Sequence, residues 1–160
     1  MTRVCLVGEE NVNVRYELLS RETSREALAT YDLREPFENT VGLETVSLGG
    51  AVALLNDLEW YLVRFVEDAL VLEPSVSDSE WLTRALATVI RDDELDPADT
   101  GRLLRIYGVD RPDGDDGSDR PPRLVEPMLV ARTGGTVPEY DLRDVEETLV
   151  VRVTESEFDG

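Results

Sequence analysis

The order of apolar and polar residues predicts two strands with a helix between them at the start of the chain. Arg3–Val7 alternates and is rich in β-branched side chains, which is typical of a buried strand, and Val41–Leu48 alternates as a second strand. Asn11–Tyr31 has a helical pattern that is broken in the middle. Within it, Thr23 and Glu26 have the spacing of a capping box ahead of further apolar residues.

The strongest helical pattern spans Gly50–Leu72. Its apolar residues recur at alternating steps of four and three, so they share one face of a helix. A strand over residues 60–66 is an alternative, but it would place Arg64 among the buried positions. We therefore predict one helix that ends before Pro74. Its apolar face consists of Ala51, Leu55, Leu58, Leu62, Phe65, Ala69 and Leu72.

Two further helices are predicted, over residues 78–91 and 97–107. Ser77 and Glu80 have capping-box spacing at the start of the first. Asp96 precedes a proline, which is the usual order of an N-cap and the first helical position of the second.

The C-terminal third is predicted to be rich in strands. Leu124–Thr133 and Thr136–Tyr140 flank Gly134 and Gly135, a typical signal of a β-hairpin. Thr148–Val153 has high β-propensity and predicts a last strand.

The resulting order, β-α-β-α-α-α-β-β-β, predicts a single α+β domain over residues 1–160. We expect a mixed sheet of about four to five strands, helices packed mainly on one face, and a C-terminal β-hairpin or meander. Residues 110–122 are almost entirely turn-forming and charged, which predicts a mobile acidic loop rich in proline and glycine, and residues 154–160 form an acidic tail. Tyr31–Glu35 and Tyr140–Asp144 are near-identical segments that each precede a strand, but they are too short to indicate a duplication.

The charge composition indicates that the protein works at a high salt concentration. All sixteen basic residues are arginine, and with 35 acidic residues the formal net charge is -19. Such charge destabilises a compact chain in dilute solution, but the Debye length falls to about 3 Å in molar salt and screens the repulsion. The composition therefore predicts a cytoplasmic protein of a salt-accumulating halophile. A GC-rich genome is an alternative explanation, and a DNA mimic is a weaker one because the acids are spread along the whole chain.

The absent residue types exclude several kinds of chemistry. Without histidine there is no Ser-His or Cys-His catalytic pair, and without lysine there is no phosphate-binding loop of the Walker type and no Schiff base. Cys5 lies within the first strand and is expected to be a buried core residue. We expect no cofactor, no signal peptide and no membrane-spanning segment.

The candidate for a binding surface is the segment around Trp60. It concentrates the residue types that dominate protein interfaces, which are tryptophan, tyrosine and arginine. The alternative is that the tryptophan widens the core face of the helix. The candidate partner-binding residues are Asn56, Asp57, Trp60, Tyr61, Arg64 and Trp81.

Two other sites are weaker candidates. The carboxylates of Asp92, Asp93, Glu94 and Asp96 are close enough in sequence to hold a divalent cation, although they lack the pattern of an EF-hand. The helices over 78–91 and 97–107, followed by a hairpin, are similar to a winged helix-turn-helix. In that case Arg102 and Arg105 share one face of the DNA-facing helix.

The chain also resembles an uncharacterised family of short acidic proteins from haloarchaea. The segments that carry the resemblance are MTRVCLVG, YELLSRETSREALATYDLREPFEN, NDLEWYLVRF, EPSVSDSEWL and YDLRDVEETLVVRV. The resemblance implies a haloarchaeal cytosolic protein, and it implies no catalytic residues.

Three functions follow from these observations, in decreasing order of support. The first is a non-enzymatic, protein-binding or regulatory protein. Its partner is expected to be another protein, and a homo-oligomer is also compatible with this function. The second is an enzyme that uses carboxylates, with or without a metal, on a small molecule. The third is a winged-helix-like DNA-binding protein, although the absence of a basic patch argues against nucleic acid.

Overall fold

The computed structural model of the protein describes residues 1–111 and 120–159. Its strands are β1 (Thr2–Gly8), β2 (Thr40–Thr45), β3 (Val66–Leu72), β4 (Trp81–Thr83), β5 (Leu103–Asp110), β6 (Arg123–Ala131) and β7 (Glu147–Arg152). Its helices are α1 (Val14–Leu19), α2 (Glu22–Leu28), α3 (Leu48–Asp57), α4 (Glu59–Phe65), α5 (Arg84–Arg91) and α6 (Glu155–Asp159), with a 3₁₀ turn at Pro97–Asp99.

The strands of the described residues form one open mixed sheet in the order β2-β1-β3-β4-β7-β5-β6. All neighbouring strands are antiparallel except β4 and β7, which are parallel. The α+β class is therefore confirmed. The sheet has seven strands, however, whereas the sequence predicted about four to five.

The short strand β4 joins the two halves of this sheet. On one side Leu82 and Thr83 pair with Val71 and Leu70 of β3. On the other side Trp81 and Leu82 pair with β7. Each junction consists of only two residue pairs, so the hydrogen-bonded connection between β3 and β7 is narrow.

The first hydrophobic core lies between the N-terminal half of the sheet and helices α1–α5. Val4 and Leu6 of β1 face it, because alternate residues of a strand point to the same side. Each of the five helices contributes buried apolar side chains, among them Leu18, Leu55 and Leu86.

The second core lies on the opposite face of β1 and β3 and is shared with the C-terminal half of the sheet. Cys5 and Leu70 from the first half cluster with Tyr107 and Val151 from the second half. The Glu38 amide also donates to the carbonyl of Pro122, at 2.8 Å, from one half to the other. These contacts require the sheet to curl, so that its second face is concave.

Four of the predicted elements are confirmed with small changes in their bounds. β1, β2 and β7 lie where strands were predicted, and the helical region before β2 is broken into α1 and α2. The break lies at Ser20 and Arg21, and Thr23 of the predicted capping box is inside α2 rather than at its start.

The prediction of one helix over Gly50–Leu72 is wrong for its last seven residues. The chain forms α3 and α4 and then enters β3 at Val66. β3 lies inside the sheet, and its side chains are buried on both faces except at Glu67. A strand buried on both sides loses the alternation of apolar and polar residues by which strands are recognised.

The helices predicted over 78–91 and 97–107 are also changed. The first begins only at Arg84, because Trp81–Thr83 forms β4 and Thr83 caps α5. In the second, the Asp96 side chain does accept the Ala98 amide as a cap, but the helical segment is a single 3₁₀ turn, and Leu103–Asp110 is a strand.

The C-terminal predictions are confirmed only in part. Leu124–Thr133 corresponds to β6, but at the two glycines only an isolated bridge between Thr133 and Thr136 forms, and residues up to Tyr140 are not a strand. The hairpin partner of β6 is instead β5. Most of the predicted mobile loop at 110–122 lies outside the described residues, and the predicted acidic tail contains α6.

A polar triad stabilises the end of the sheet near the β4–β7 junction. The Glu80 carboxylate accepts hydrogen bonds from Arg132 at 2.5 Å and from Arg152 at 2.8 Å. Arg152 also donates to Thr100, and Arg132 to the carbonyl of Gly101. Burial alone would raise the pKa of Glu80, but the two arginines outweigh it and hold that pKa below its ordinary value.

We therefore predict that Glu80 makes stability dependent on pH. A carboxyl with a lowered pKa contributes stability that is present above its unfolded-state pKa and is lost as the pH falls through its folded-state pKa. Glu80→Gln should lower the free energy of unfolding at about pH 7, and the difference from the wild type should shrink on acidification to about pH 3. Chemical denaturation at constant KCl measures it.

The matched control is Glu44→Gln. Glu44 lies 3.8 Å from Arg3 in an exposed pair, and such pairs contribute little to stability. A Glu80→Gln difference that stays constant between the two pH values would contradict the assignment.

Candidate functional site

The exposed face of α4 carries an ordered aromatic and cationic pair. Trp60 is 47 % exposed, which is high for so large an apolar side chain. The guanidinium of Arg64, one turn later, stacks over its ring at 3.8 Å from the centroid and donates to the Trp60 carbonyl at 2.9 Å. The pair is therefore a cation–π contact held in place by a local hydrogen bond.

Arg21 connects this pair to the junction between α1 and α2. Its guanidinium carbon lies 5.4 Å from the ring centroid of Trp60 and 5.1 Å from that of Phe65. It also pairs with Glu17 at 3.3 Å. Two arginines thus flank one half-exposed tryptophan.

The neighbouring surface carries further exposed apolar side chains. Val63 on α4 is 66 % exposed and Tyr16 on α1 is 64 % exposed. Helix α1 contacts both α2 and α4. We give the name helical corner to six of the exposed side chains of these three helices, which are Arg15, Tyr16, Arg25, Trp60, Val63 and Arg64. The same helices also expose Glu22, Thr23, Glu26 and Glu59.

The arginines of the helical corner differ from the other arginines in their pairing. Arg120 has a partner, and twelve more arginines of the described residues form ion pairs with carboxylates. Within the same residues, only Arg15, Arg25 and Arg64 form no ion pair. The chain has 35 acidic residues, so three arginines that lie on adjoining helices and form no ion pair are a distinctive local feature.

Of the other predicted partner-binding residues, Tyr61 lies edge-on to the Trp60 ring, with 5.0 Å between the ring centroids, and the structure places the remaining three elsewhere. Tyr61 is buried in the first core, with an exposure of 8 %. Asn56 accepts a hydrogen bond from Arg84 at 2.9 Å, and Asp57 is exposed at the end of α3. Trp81 lies in β4 and packs against the second core. Of the predicted set, only Trp60 and Arg64 contact each other on the surface.

Trp81 instead lines a cavity of about 460 Å³ on another part of the molecule. Tyr31 and Arg34 of the first Tyr-Asp-Leu-Arg segment line the same cavity. The second segment is placed differently, because the Tyr140 ring lies against Gly108, where a Cβ would approach Tyr140 Cε1 to 2.8 Å. The two segments are therefore not structurally equivalent.

The predicted metal ligands do not converge. Asp92 pairs with Arg91, Asp93 has a positive φ of 58° at the end of α5, and Asp96 caps the 3₁₀ turn. Glu94 is exposed on the same connection. Among the described residues, no three acidic or cysteine side chains are arranged to hold a metal ion.

The predicted DNA-facing helix is absent from the described residues, because Leu103–Asp110 is a strand. Arg102 is exposed and lies 3.7 Å from Glu155. Arg105 points into the concave face and binds Asp68. The two arginines therefore share no surface on which a DNA duplex could bind.

The sequence did not reveal a buried polar cluster in the concave face. Asp68 Oδ2 accepts hydrogen bonds from Arg105 at 2.5 Å and from Tyr107 at 2.9 Å. Desolvation raises the pKa of Asp68 and outweighs the opposing effects of Arg105 and Tyr107. Burial, together with Asp68, also raises the pKa of Tyr107. Since Asp68 was expected on a helix, only the tertiary structure could bring these residues together.

Next to this cluster, a shallow cavity of about 280 Å³ lies between the start of β3 and the start of α5. Three acidic residues, Glu67, Asp68 and Glu157, are among those that line it, together with Arg84. Desolvation raises the pKa of Glu67, and the nearby charges of Asp68 and Glu9 add to the effect. The one cysteine is not part of this site, since burial raises the pKa of Cys5 to about 12 and keeps the thiol protonated.

We predict that the Asp68–Arg105 pair is necessary for stability. Asp68→Asn leaves a guanidinium that is only 21 % exposed without its carboxylate. Removing one member of such a pair costs about 3 kcal/mol of unfolding free energy. The double variant Asp68→Asn, Arg105→Met should recover part of that loss, because no uncompensated charge remains.

The neighbouring Glu67→Gln is the control, because Glu67 is exposed and accepts no hydrogen bond from Arg105. Chemical denaturation in molar KCl gives all four free energies. Equal stability of Asp68→Asn and Glu67→Gln would show that the pair has no such role.

Comparison with known proteins gives one match. Residues 2–109, more than half of the chain, match the model of a family of unknown function (DUF5804). No curated protein and no solved structure is detectably similar to the chain. No helix of the described residues is long and apolar enough to cross a membrane.

Proposed function

The chain belongs to DUF5804, a family of unknown function, and we propose that it is a non-enzymatic adaptor or regulatory protein that binds another protein through the helical corner. The single observation that carries this proposal is the half-exposed Trp60 with Arg64 stacked on its ring. Tryptophan and arginine are the residue types most enriched in the energetic centres of protein interfaces.

The exposed apolar side chains support the same function. Val63 is two-thirds exposed on the same helix as Trp60, and Tyr16 is similarly exposed on the adjoining helix. Apolar side chains grouped on a polar surface mark interaction sites more often than scattered ones do. The depleted set of catalytic residue types also favours binding over catalysis.

We propose further that the protein works in the cytoplasm of a haloarchaeon. The net charge of -19 and the use of arginine alone support this habitat. At molar salt the carboxylates keep the surface hydrated, and the repulsion between them is screened. An interface that works under these conditions depends on apolar and stacking contacts more than on long-range attraction.

We predict that the helical corner is required for co-purification of a partner. The tagged protein is recovered from its native host in molar KCl, which removes most electrostatic and nucleic-acid contacts. The wild type should bring down one protein in near-stoichiometric amount, and Trp60→Ala and Val63→Asp should lose it.

Val46→Asp is the matched control, because Val46 is 87 % exposed but lies outside the helical corner. It should retain the partner. Circular dichroism in the same buffer verifies that each variant is folded. Equal recovery with Val63→Asp and Val46→Asp, or a wild type that purifies alone, would rule out this function.

A second candidate is a carboxylate-based enzyme that acts on a small molecule. The observation that favours it is the cavity lined by Glu67, Asp68 and Glu157, in which the pKa values of the first two are raised. Carboxyls with raised pKa values beside a cavity are typical of general acids. The cavity is shallow and Asp68 already has two partners, so this candidate ranks below partner binding.

The second candidate predicts a measurable coupling between the carboxyls. NMR titration of the side-chain carboxyl carbons should give midpoints for Glu67 and Asp68 above those of ordinary carboxyls. Asp68→Asn should lower the midpoint of Glu67, because the charge of Asp68 contributes to its raised pKa. Titration midpoints of ordinary carboxyls for both residues would contradict the proposal of a carboxylate-based enzyme.

A further inference from the structure

We propose that the helical corner recognises an acidic segment of a different protein, whose carboxylates bind Arg64 and the other unpaired arginines while its apolar side chains pack on Trp60 and Val63. This inference rests on the proposed function and specifies the chemistry of the partner. It follows from the distribution of ion pairs over the whole chain.

Arginines of this protein ordinarily find a carboxylate even where they are exposed. Arg111 makes two hydrogen bonds to Glu147, at 2.9 and 2.8 Å, on the open surface. Arg34 pairs with Asp32 although both side chains are more than three-quarters exposed. With more than two acids for each arginine, a cation without a carboxylate is the exception. Arg15, Arg25 and Arg64 are such exceptions, and they lie on three adjoining helices.

Arg64 is already ordered for binding a carboxylate. Its guanidinium stacks on Trp60, and one of its N–H groups donates a hydrogen bond to the Trp60 carbonyl. A guanidinium has five N–H donors, and its planar fork matches the two oxygens of a carboxylate. Because the stack fixes the fork in advance, the Arg64 side chain loses less conformational entropy when a partner binds there. Such a bidentate contact is also less sensitive to salt than attraction between distant charges.

The apolar side chains distinguish a protein segment from a nucleic acid. Val63 and Trp60 offer apolar area beside Arg64, which a sugar-phosphate backbone would leave uncovered. The affinity of a nucleic acid, which is held through many phosphate contacts, also falls steeply with salt. A segment with a few carboxylates among apolar residues satisfies both components of the surface.

The first step of the test finds the partner segment by photo-crosslinking. The full-length tagged protein carries p-benzoylphenylalanine in place of Val63 and is irradiated in its native host. After lysis in molar KCl, mass spectrometry identifies the peptide attached to position 63. We expect a segment of a different protein with at least two carboxylates next to apolar residues.

The second step uses a synthetic peptide of the crosslinked segment as the probe. Its affinity is measured for the wild type, for Arg64→Gln and for the control Arg34→Gln, whose arginine is exposed but already paired. We expect about tenfold weaker binding for Arg64→Gln, as for a lost charge-assisted hydrogen bond, and no change for Arg34→Gln. Arg64→Glu should bind a peptide in which the facing carboxylate is replaced by arginine better than it binds the original peptide.

The outcomes separate this inference from the proposed function. A crosslinked segment without carboxylates, or equal affinities for the wild type and Arg64→Gln, overturns the acidic partner and leaves protein binding in place. Crosslinks to nucleic acid, or only to a second copy of the chain, also overturn it. If position 63 crosslinks to no protein and the wild type purifies alone, the proposed function fails together with the inference.

Discussion

Because β4 shares only two residue pairs with each neighbour, the two halves of the sheet depend on contacts across the concave face. One polar contact between the halves is made by the Asp68 carboxylate, which accepts hydrogen bonds from Arg105 and Tyr107 of the other half. Apolar residues of both halves surround it in the second core. The narrow β4 junction provides fewer backbone hydrogen bonds than a longer strand would. Side-chain packing across the curled sheet, which also buries Cys5, takes their place in joining the two halves.

The same chain uses its arginines in two ways. In the concave face and in the triad around Glu80, guanidinium groups neutralise buried carboxylates and connect strands that are distant in sequence. On the helical corner, Arg15, Arg25 and Arg64 form no ion pair with the described residues, and Arg64 stacks on the Trp60 ring. The use of arginine in place of lysine therefore has structural consequences here, because an ammonium group cannot adopt the planar geometry of the Arg64 and Arg105 guanidinium groups.

The sequence predicted the α+β class, the strands β1, β2 and β7 and the break between α1 and α2, because these segments have high β-propensity, alternation or helical periodicity. It failed for β3 and β5, whose side chains are largely buried on both faces and so resemble a core helix. The pair of Trp60 and Arg64 was predictable, since residue type and helical spacing are local properties. The contact of Arg21 with Trp60 was not predictable, because it depends on how α1 packs against α4. The Asp68 cluster was not predicted either, because the strand that carries Asp68 was assigned to a helix.

The position of β7 has a consequence for biosynthesis. β7 lies between β4 and β5 in the sheet, yet it begins about 60 residues after β4 ends in the chain. During translation, β4 and β5 therefore emerge with facing edges that have no neighbour, and such edges can pair with other chains. The centre of the sheet forms only when β7 arrives, so the N-terminal half, with its own helical core, must hold the nascent chain together until then.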